Sequence, residues 1–77
     1  MERMITLEVV ETDTVLLKVI QAAKKRRMVI RKLIAEETAR DYGNAFIKIL
    51  GEARAEQYDC LKKQFEKIID VVEVTVL

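Results

Sequence analysis

The sequence offers few of the side chains on which enzymes usually depend. It contains no histidine, so acid–base catalysis would fall to carboxylates, lysine or tyrosine. Its one cysteine, Cys60, follows Asp59 directly, and a neighbouring carboxylate disfavours the reactive thiolate. Gly43 and Gly51, the two glycines, are too far apart to form a glycine-rich phosphate loop. These features predict a binding or regulatory protein with no catalytic residue.

Two charged segments could bind a ligand. Residues 24–32 contain six cations, which indicate either a phosphate or nucleic-acid surface or a solvated helix end that complements the helix dipole. The net charge of +1 favours the helix end, and we expect no nucleic-acid partner. Glu36 and Glu37 could bind a metal ion, but adjacent residues on a strand point to opposite faces. We therefore predict no metal site.

The elements that would position these residues follow from the apolar spacing. A period of two predicts strands over 4–10, 45–50 and 70–77, and a helical period predicts helices over 14–26 and 53–68. Residues 28–38 show no clean apolar face, and we favour a fourth strand there. We expect Thr12 or Asp13 to cap the first helix, Gly51 to end the third strand, and 39–44 to form a turn. Residues 28–38 could also continue the first helix, but the cations at 24–27 are typical of a helix end.

The order strand, helix, strand, strand, helix, strand predicts the α+β class with a ferredoxin-like split βαβ fold. Two helices would cover one face of a four-stranded antiparallel sheet, with residues 1–77 as a single domain. The second helix would bury an apolar stripe of Tyr58, Leu61, Phe65 and Ile68. The other sheet face could meet solvent or a partner. The alternative is an all-α bundle, which the lack of proline supports and the β-branched ends oppose.

The C-terminal part of the sequence resembles a known family. Residues 64–74 resemble a run in the small regulatory subunits of acetohydroxyacid (acetolactate) synthase, with the pattern Gln-Leu-x-Lys-Leu-Val-Asp-Val-x-x-Val. The residues that match outright are Gln64, Lys67, Asp70, Val71 and Val74. Near the first helix end, Arg26, Arg27 and Met28 stand where the family has Arg-Gly-aromatic. The resemblance covers nearly the whole chain and implies a single ACT domain with the βαββαβ order.

The resemblance also implies a ligand site at a dimer interface, between the first strand–helix loop and the second strand. In this chain that site would comprise Glu11, Thr12, Asp13, Thr14, Val15 and Val29. Regulated members have Asn-x-x-Gly in the loop, where this chain has Glu11 and Thr14, and an asparagine at the position of Val29. The Cβ of Thr14 restricts backbone approach to a ligand, and Glu11 repels a carboxylate. We therefore expect valine to bind poorly.

The function that the resemblance implies is a non-catalytic regulatory subunit of acetohydroxyacid synthase in branched-chain amino-acid biosynthesis. The chain would bind and activate the catalytic subunit, which would hold the thiamine diphosphate, magnesium and FAD, with no cofactor in this chain. One alternative is a stand-alone ACT domain that binds another amino acid or small metabolite. A less favoured alternative is a small ferredoxin-like enzyme such as an acylphosphatase-like hydrolase, which the acidic loop at 11–14 opposes.

Assembly and location follow from size and composition. A domain of 77 residues with one cysteine has no internal disulfide to support a marginal core. We therefore expect a homodimer, with the second strand near the two-fold axis. The lone cysteine, the absence of a secretory signal and the lack of a membrane-spanning stretch predict a cytoplasmic protein without a membrane partner.

Overall fold

The computed structural model describes residues 1–37 and 45–77 and confirms the predicted order of six elements. The strands are β1 (Glu2–Val9), β2 (Val29–Glu36), β3 (Ala45–Glu52) and β4 (Val71–Val76), and the helices are α1 (Thr12–Lys25) and α2 (Gln57–Glu66). The predicted turn at 39–44 lies outside the described residues. The predicted second strand is present as β2, not as a continuation of α1, and the all-α alternative is wrong.

The four strands form one antiparallel sheet in the order β2-β3-β1-β4, so that β2 and β4 are the edges. Alternate residues of the central strands are buried on one face, which the two helices cover. This face supplies most of the core together with the inner sides of α1 and α2. The buried core residues of the sheet are Ile5, Leu7, Val9, Ala45, Ile47, Ile49 and Val74. This arrangement is the predicted split βαβ fold.

Helix α2 confirms the predicted apolar stripe but is shorter than predicted. Tyr58, Leu61 and Phe65 are buried, and Ile68 is half-buried against the core. The prediction that the helix begins at residue 53 is wrong, because the backbone N–H of Ala53 donates to the carbonyl of Met1 at 3.2 Å. Residues 53–56 therefore connect β3 to α2 instead of forming its first turn.

Gly51 does not end β3 as expected, because the strand continues to Glu52. Instead, Gly51 allows a close approach between strands. A Cβ on Gly51 would lie 2.5 Å from the carbonyl oxygen of Val29 and 2.6 Å from Cε of Met28. Both distances are shorter than van der Waals contact, so a larger residue would displace the start of β2. The pairing of β2 with β3 is also irregular here, between Ile30 and Lys32.

Helix α1 ends in a Schellman motif built on an arginine. Arg27 has a φ of 60°, in the left-handed region that glycine usually occupies. Its N–H donates to the carbonyl of Lys24 at 3.0 Å, and the N–H of Met28 donates to the carbonyl of Ala23 at 3.0 Å. The predicted helix end at the cation run is therefore confirmed. Arg27 adopts the left-handed conformation that is typical of glycine, the residue found at this position in the family that the sequence resembles.

Candidate functional site

The loop from β1 to α1 forms one part of the predicted ligand site. Val10 follows the end of β1, and its N–H donates to the carbonyl of Asp70 at 2.8 Å. Glu11 is the N-cap of α1, with an extended backbone and no side-chain hydrogen bond to the helix. Asp13 and Thr14 are exposed in the first turn. The positive end of the α1 dipole therefore meets solvent with acidic side chains around it.

The prediction that Thr12 or Asp13 caps α1 is wrong, because Glu11 occupies the N-cap position. Thr12 is the first helical residue and is 7% exposed. Its hydroxyl donates to Oε1 of Glu37 at 3.1 Å, which ties the start of α1 to the end of β2. No local pattern in the sequence indicates that Glu37 belongs to this loop, since the contact joins residues 25 positions apart.

Charge in this loop opposes a free carboxylate. Glu11, Asp13 and Glu37 all lie at or beside the first turn of α1. An amino-acid ligand needs partners for both its ammonium and its carboxylate, because burial of either group without a partner is costly. These side chains suit the ammonium and repel the carboxylate.

The other two predicted site residues lie apart from the loop. Val15 is fully buried in the core, so its side chain is not available at the surface of this chain. Val29 is 55% exposed at the first position of β2 and pairs with Glu52. Thr12 contacts Glu37, just beyond the opposite end of that strand. At about 3.3 Å per residue, the length of β2 separates Val29 from the loop within one chain.

An ion-pair cluster surrounds the Val29 end of the sheet. Nη2 of Arg31 lies 2.7 Å from Oε2 of Glu52, and Nε of Arg31 lies 3.5 Å from Oε2 of Glu2. The hydrogen bond and the charge of Arg31 lower the pKa of Glu52 below its ordinary value, and Glu52 in turn raises the pKa of Arg31. Because these groups are exposed, the cluster orients side chains at the sheet edge more than it stabilises the fold.

Glu36 and Glu37, at the other end of β2, contact different partners. Oε1 of Glu36 pairs with Nζ of Lys48 at 3.6 Å, whereas Glu37 accepts from Thr12. Within residues 1–37 and 45–77, no group of three or more histidine, cysteine or acidic side chains could hold a metal ion. The helices of these same ranges include none that is long and apolar enough to cross a membrane. Cys60 is half-buried on α2.

Edge strand β2 carries an apolar flank beside α1. Gln21, Ala22 and Gln64 line a common depression, so one flank of α1 faces α2. Helical geometry places Leu16 and Ile20 on the opposite flank, on the side of β2, which α1 contacts. The side chains of Leu16, Ile30 and Leu33 are half-buried against the core, and Val29 is exposed. The β2 edge therefore offers both unpaired backbone groups and apolar side chains.

Comparison with known proteins identifies the fold. No protein-family model matches the sequence, and no curated protein matches it either. Solved structures do match. The ACT domain of the GTP pyrophosphokinase of Chlorobium tepidum superposes with a TM-score of 0.78 and 13% identity over 99% of this chain and 96% of that domain. The protein therefore has the ACT-domain fold, as a single small ACT-like domain.

A second match corresponds to the resemblance found in the sequence. The small subunit of acetolactate synthase from Thermotoga maritima superposes with a TM-score of 0.80 and 22% identity over 99% of this chain. This chain spans 47% of that subunit, about half of its length. The C-terminal domain of the MgtC protein from Mycobacterium tuberculosis matches with a TM-score of 0.78 and 11% identity over 99% of this chain and 84% of that domain. At these identities the matches establish the fold.

Proposed function

We propose that this chain is a non-catalytic regulatory ACT module that forms a homodimer and binds the catalytic subunit of acetohydroxyacid synthase in the cytoplasm. The observation that carries the proposal is the superposition on an acetolactate synthase small subunit over 99% of the chain. The residues of the family run support it, since 64–74 connect the end of α2 to β4. Thiamine diphosphate, magnesium and FAD would reside in the catalytic subunit.

The homodimer would form along β2. An edge strand with unpaired backbone groups invites pairing with another strand, and β2 adds the apolar flank described above. In a symmetric dimer the same strand meets its own copy. Two β2 strands related by a two-fold axis run antiparallel, so the sheet would continue through both copies.

This pairing would assemble the effector site from two chains. Antiparallel pairing places the Val29 end of one β2 beside the Glu37 end of the other. The loop of one copy, with Glu11 and Thr12, would then face Val29 of the partner subunit. The predicted site residues that lie apart in one chain would thus come together in the dimer.

The charge and shape of this site predict weak binding of valine. Glu11 and Asp13 repel the ligand carboxylate, and the aliphatic Val29 donates no hydrogen bond. Loss of a charge-assisted hydrogen bond removes about 1.5–3 kcal/mol, or roughly ten- to hundredfold in affinity. Calorimetry with the chain carrying Glu11→Asn and Thr14→Gly should therefore show stronger valine binding than the unchanged chain. Low-micromolar binding by the unchanged chain would contradict this explanation.

Activation of the partner tests the proposed function directly. The catalytic subunit of acetohydroxyacid synthase from the same organism would be assayed for acetolactate formation with and without this chain. We expect a higher rate that saturates at a fixed ratio of the two chains, because a binding partner shifts the population toward the active state. No complex and no change in rate would refute the proposal. Stabilisation of the isolated chain by another amino acid would then favour the stand-alone effector-binding alternative.

A further inference from the structure

The start of α2 and the end of α1 border an open cationic pocket that lies outside the effector loop. It has a volume of about 420 Å³ and is lined by Lys25, Arg26, Arg27, Arg54 and Gln57. This volume lies within the range of about 300–1,000 Å³ that is usual for small-molecule sites. The pocket lies at the C-terminal end of α1, whereas Glu11 and Thr12 lie at its N-terminal end. With 14 residues in α1, the two sites lie roughly 20 Å apart along the helix.

The lining of this pocket is mostly positively charged. Four of its lining residues are cations, and the fifth, Gln57, carries a neutral amide. Over the described ranges, Lys25, Arg26 and Arg27 make no ion pair, while Arg54 lies 3.9 Å from Glu56, with both side chains mostly exposed. An exposed pair at this distance is weak, so Glu56 leaves most of the positive charge in the pocket uncompensated.

The two helix ends at the pocket have opposite effects on an anion. The C-terminal end of α1 carries the negative end of its dipole and opposes an anion, although its last carbonyls accept hydrogen bonds from the N–H groups of Arg26, Arg27 and Met28. Gln57 is the first residue of α2, so the positive end of that helix dipole lies at the pocket and favours an anion. The backbone N–H of Gln57 itself donates to the carbonyl of Arg54 at 2.9 Å.

Arg27, which carries one of these charges, has a strained backbone conformation. Its left-handed φ of 60° disfavours any residue with a Cβ by roughly 1–2 kcal/mol. Glycine would relieve this strain at a helix C-terminus, but it would remove a cation from the pocket. Strained residues of this kind cluster at functional sites.

We infer that this pocket binds a small polyphosphate anion, either free pyrophosphate or the phosphates of a nucleotide. Guanidinium groups recognise phosphate oxygens by paired, charge-assisted hydrogen bonds, and three of the four cations here are arginines. A single phosphate would fill a small part of the pocket and neutralise part of its charge. The limited size of the pocket and the net charge of +1 favour a small ligand over a nucleic acid, whose binding requires an extended basic surface.

Calorimetry of the purified chain with pyrophosphate, ATP and inorganic phosphate tests this inference. We expect pyrophosphate or ATP to bind with a dissociation constant below about 1 mM at low ionic strength, inorganic phosphate to bind more weakly, and added salt to weaken all three. Tighter binding of ATP would identify a nucleotide, and equal binding would identify the polyphosphate itself.

Substitutions distinguish a specific binding pocket from nonspecific attraction of pyrophosphate to positive charge. Arg27→Gly and Arg54→Gln should each weaken pyrophosphate binding by about tenfold, the loss expected for one charge-assisted hydrogen bond. The matched control is Lys62→Gln, which removes one positive charge from the exposed side of α2 and should change affinity by less than about twofold. Equal losses in the control and pocket variants would overturn the inference, as would the absence of binding at about 10 mM pyrophosphate. Tighter binding of a single-stranded oligonucleotide that depends on Arg31 would overturn it in favour of a nucleic-acid surface.

Discussion

Replacement of Arg27 by glycine should stabilise the protein. Arg27 is held at a φ of 60° by the two hydrogen bonds of the Schellman motif. A residue with a Cβ pays about 1–2 kcal/mol in this conformation, whereas glycine adopts it freely and loses about 0.5–1 kcal/mol more in chain entropy on folding. The difference predicts a gain of about 0.5–1 kcal/mol. For a domain of this size, that gain corresponds to a rise of roughly 2–8 °C in the melting temperature.

Arg26→Gly is the matched control for this substitution. Arg26 is the adjacent residue and carries the same charge, but its φ of −94° is accessible to any residue. The same change there removes the same charge without relief of strain, so stability should fall by about 0.5–1 kcal/mol. Arg27→Ala keeps the Cβ and removes the charge, and it should leave stability nearly unchanged if backbone strain is the cause.

Thermal and urea unfolding of the three variants, at one fixed protein concentration, would measure these differences. A higher free energy of unfolding for Arg27→Gly and a lower one for Arg26→Gly would confirm the reasoning. If both glycine variants are destabilised equally, Arg27 does not carry the strain. If Arg27→Ala is stabilised as much as Arg27→Gly, relief of charge repulsion is the cause, and the conformational argument is refuted.

Three further predictions concern the core, a close strand contact and an ion pair. Phe65→Ala should cost about 3–5 kcal/mol in unfolding free energy because Phe65 is fully buried, whereas Lys62→Ala on the exposed side should change it little. Gly51→Ala should cost about 1–3 kcal/mol, because the new Cβ would meet the carbonyl oxygen of Val29. Arg31→Gln should raise the pKa of Glu52 toward its ordinary value of 4.5, as measured by NMR titration.

The lowered pKa of Glu52 determines how the stability contributed by its ion pair with Arg31 depends on pH. The folded state lowers the pKa of Glu52, so the pair contributes stability above the ordinary pKa and loses it as the pH falls through the folded value. An unchanged titration in Arg31→Gln would show that the pair does not form in solution. Lys62→Ala as the most damaging helix variant would show that the faces of α2 are misassigned, and a neutral Gly51→Ala would show that β2 moves away at no cost.

The sequence predicted the fold because its local signals agree. Alternating β-branched residues in β1 and β4 and the helical spacing of Tyr58, Leu61 and Phe65 are consistent with a single arrangement of six elements. The positions that differ depend on contacts between distant residues. Ala53 bonds to Met1, and Gly51 pairs with Arg3 of β1.

Less of the candidate sites could be predicted from the sequence, because they too depend on contacts between distant residues. The contact between Thr12 and Glu37 and the meeting of Arg54 with the end of α1 both join separate elements. The cations at 24–27 lie at a helix end, as predicted. Their approach to Arg54 and Gln57 depends on how α1 packs beside α2, which no local pattern encodes.

The oligomeric state in solution tests the central proposal, a regulatory dimer built on β2, most directly. Sedimentation equilibrium at micromolar concentration should show a dimer for the unchanged chain. Ala35→Arg, at an exposed position of edge strand β2, should give a folded monomer, because it places bulk and charge in the pairing edge. Thr75→Arg, at an exposed position of the other edge strand, β4, should remain a dimer. A folded monomer for the unchanged chain, or dissociation by Thr75→Arg and not by Ala35→Arg, would contradict the proposed assembly.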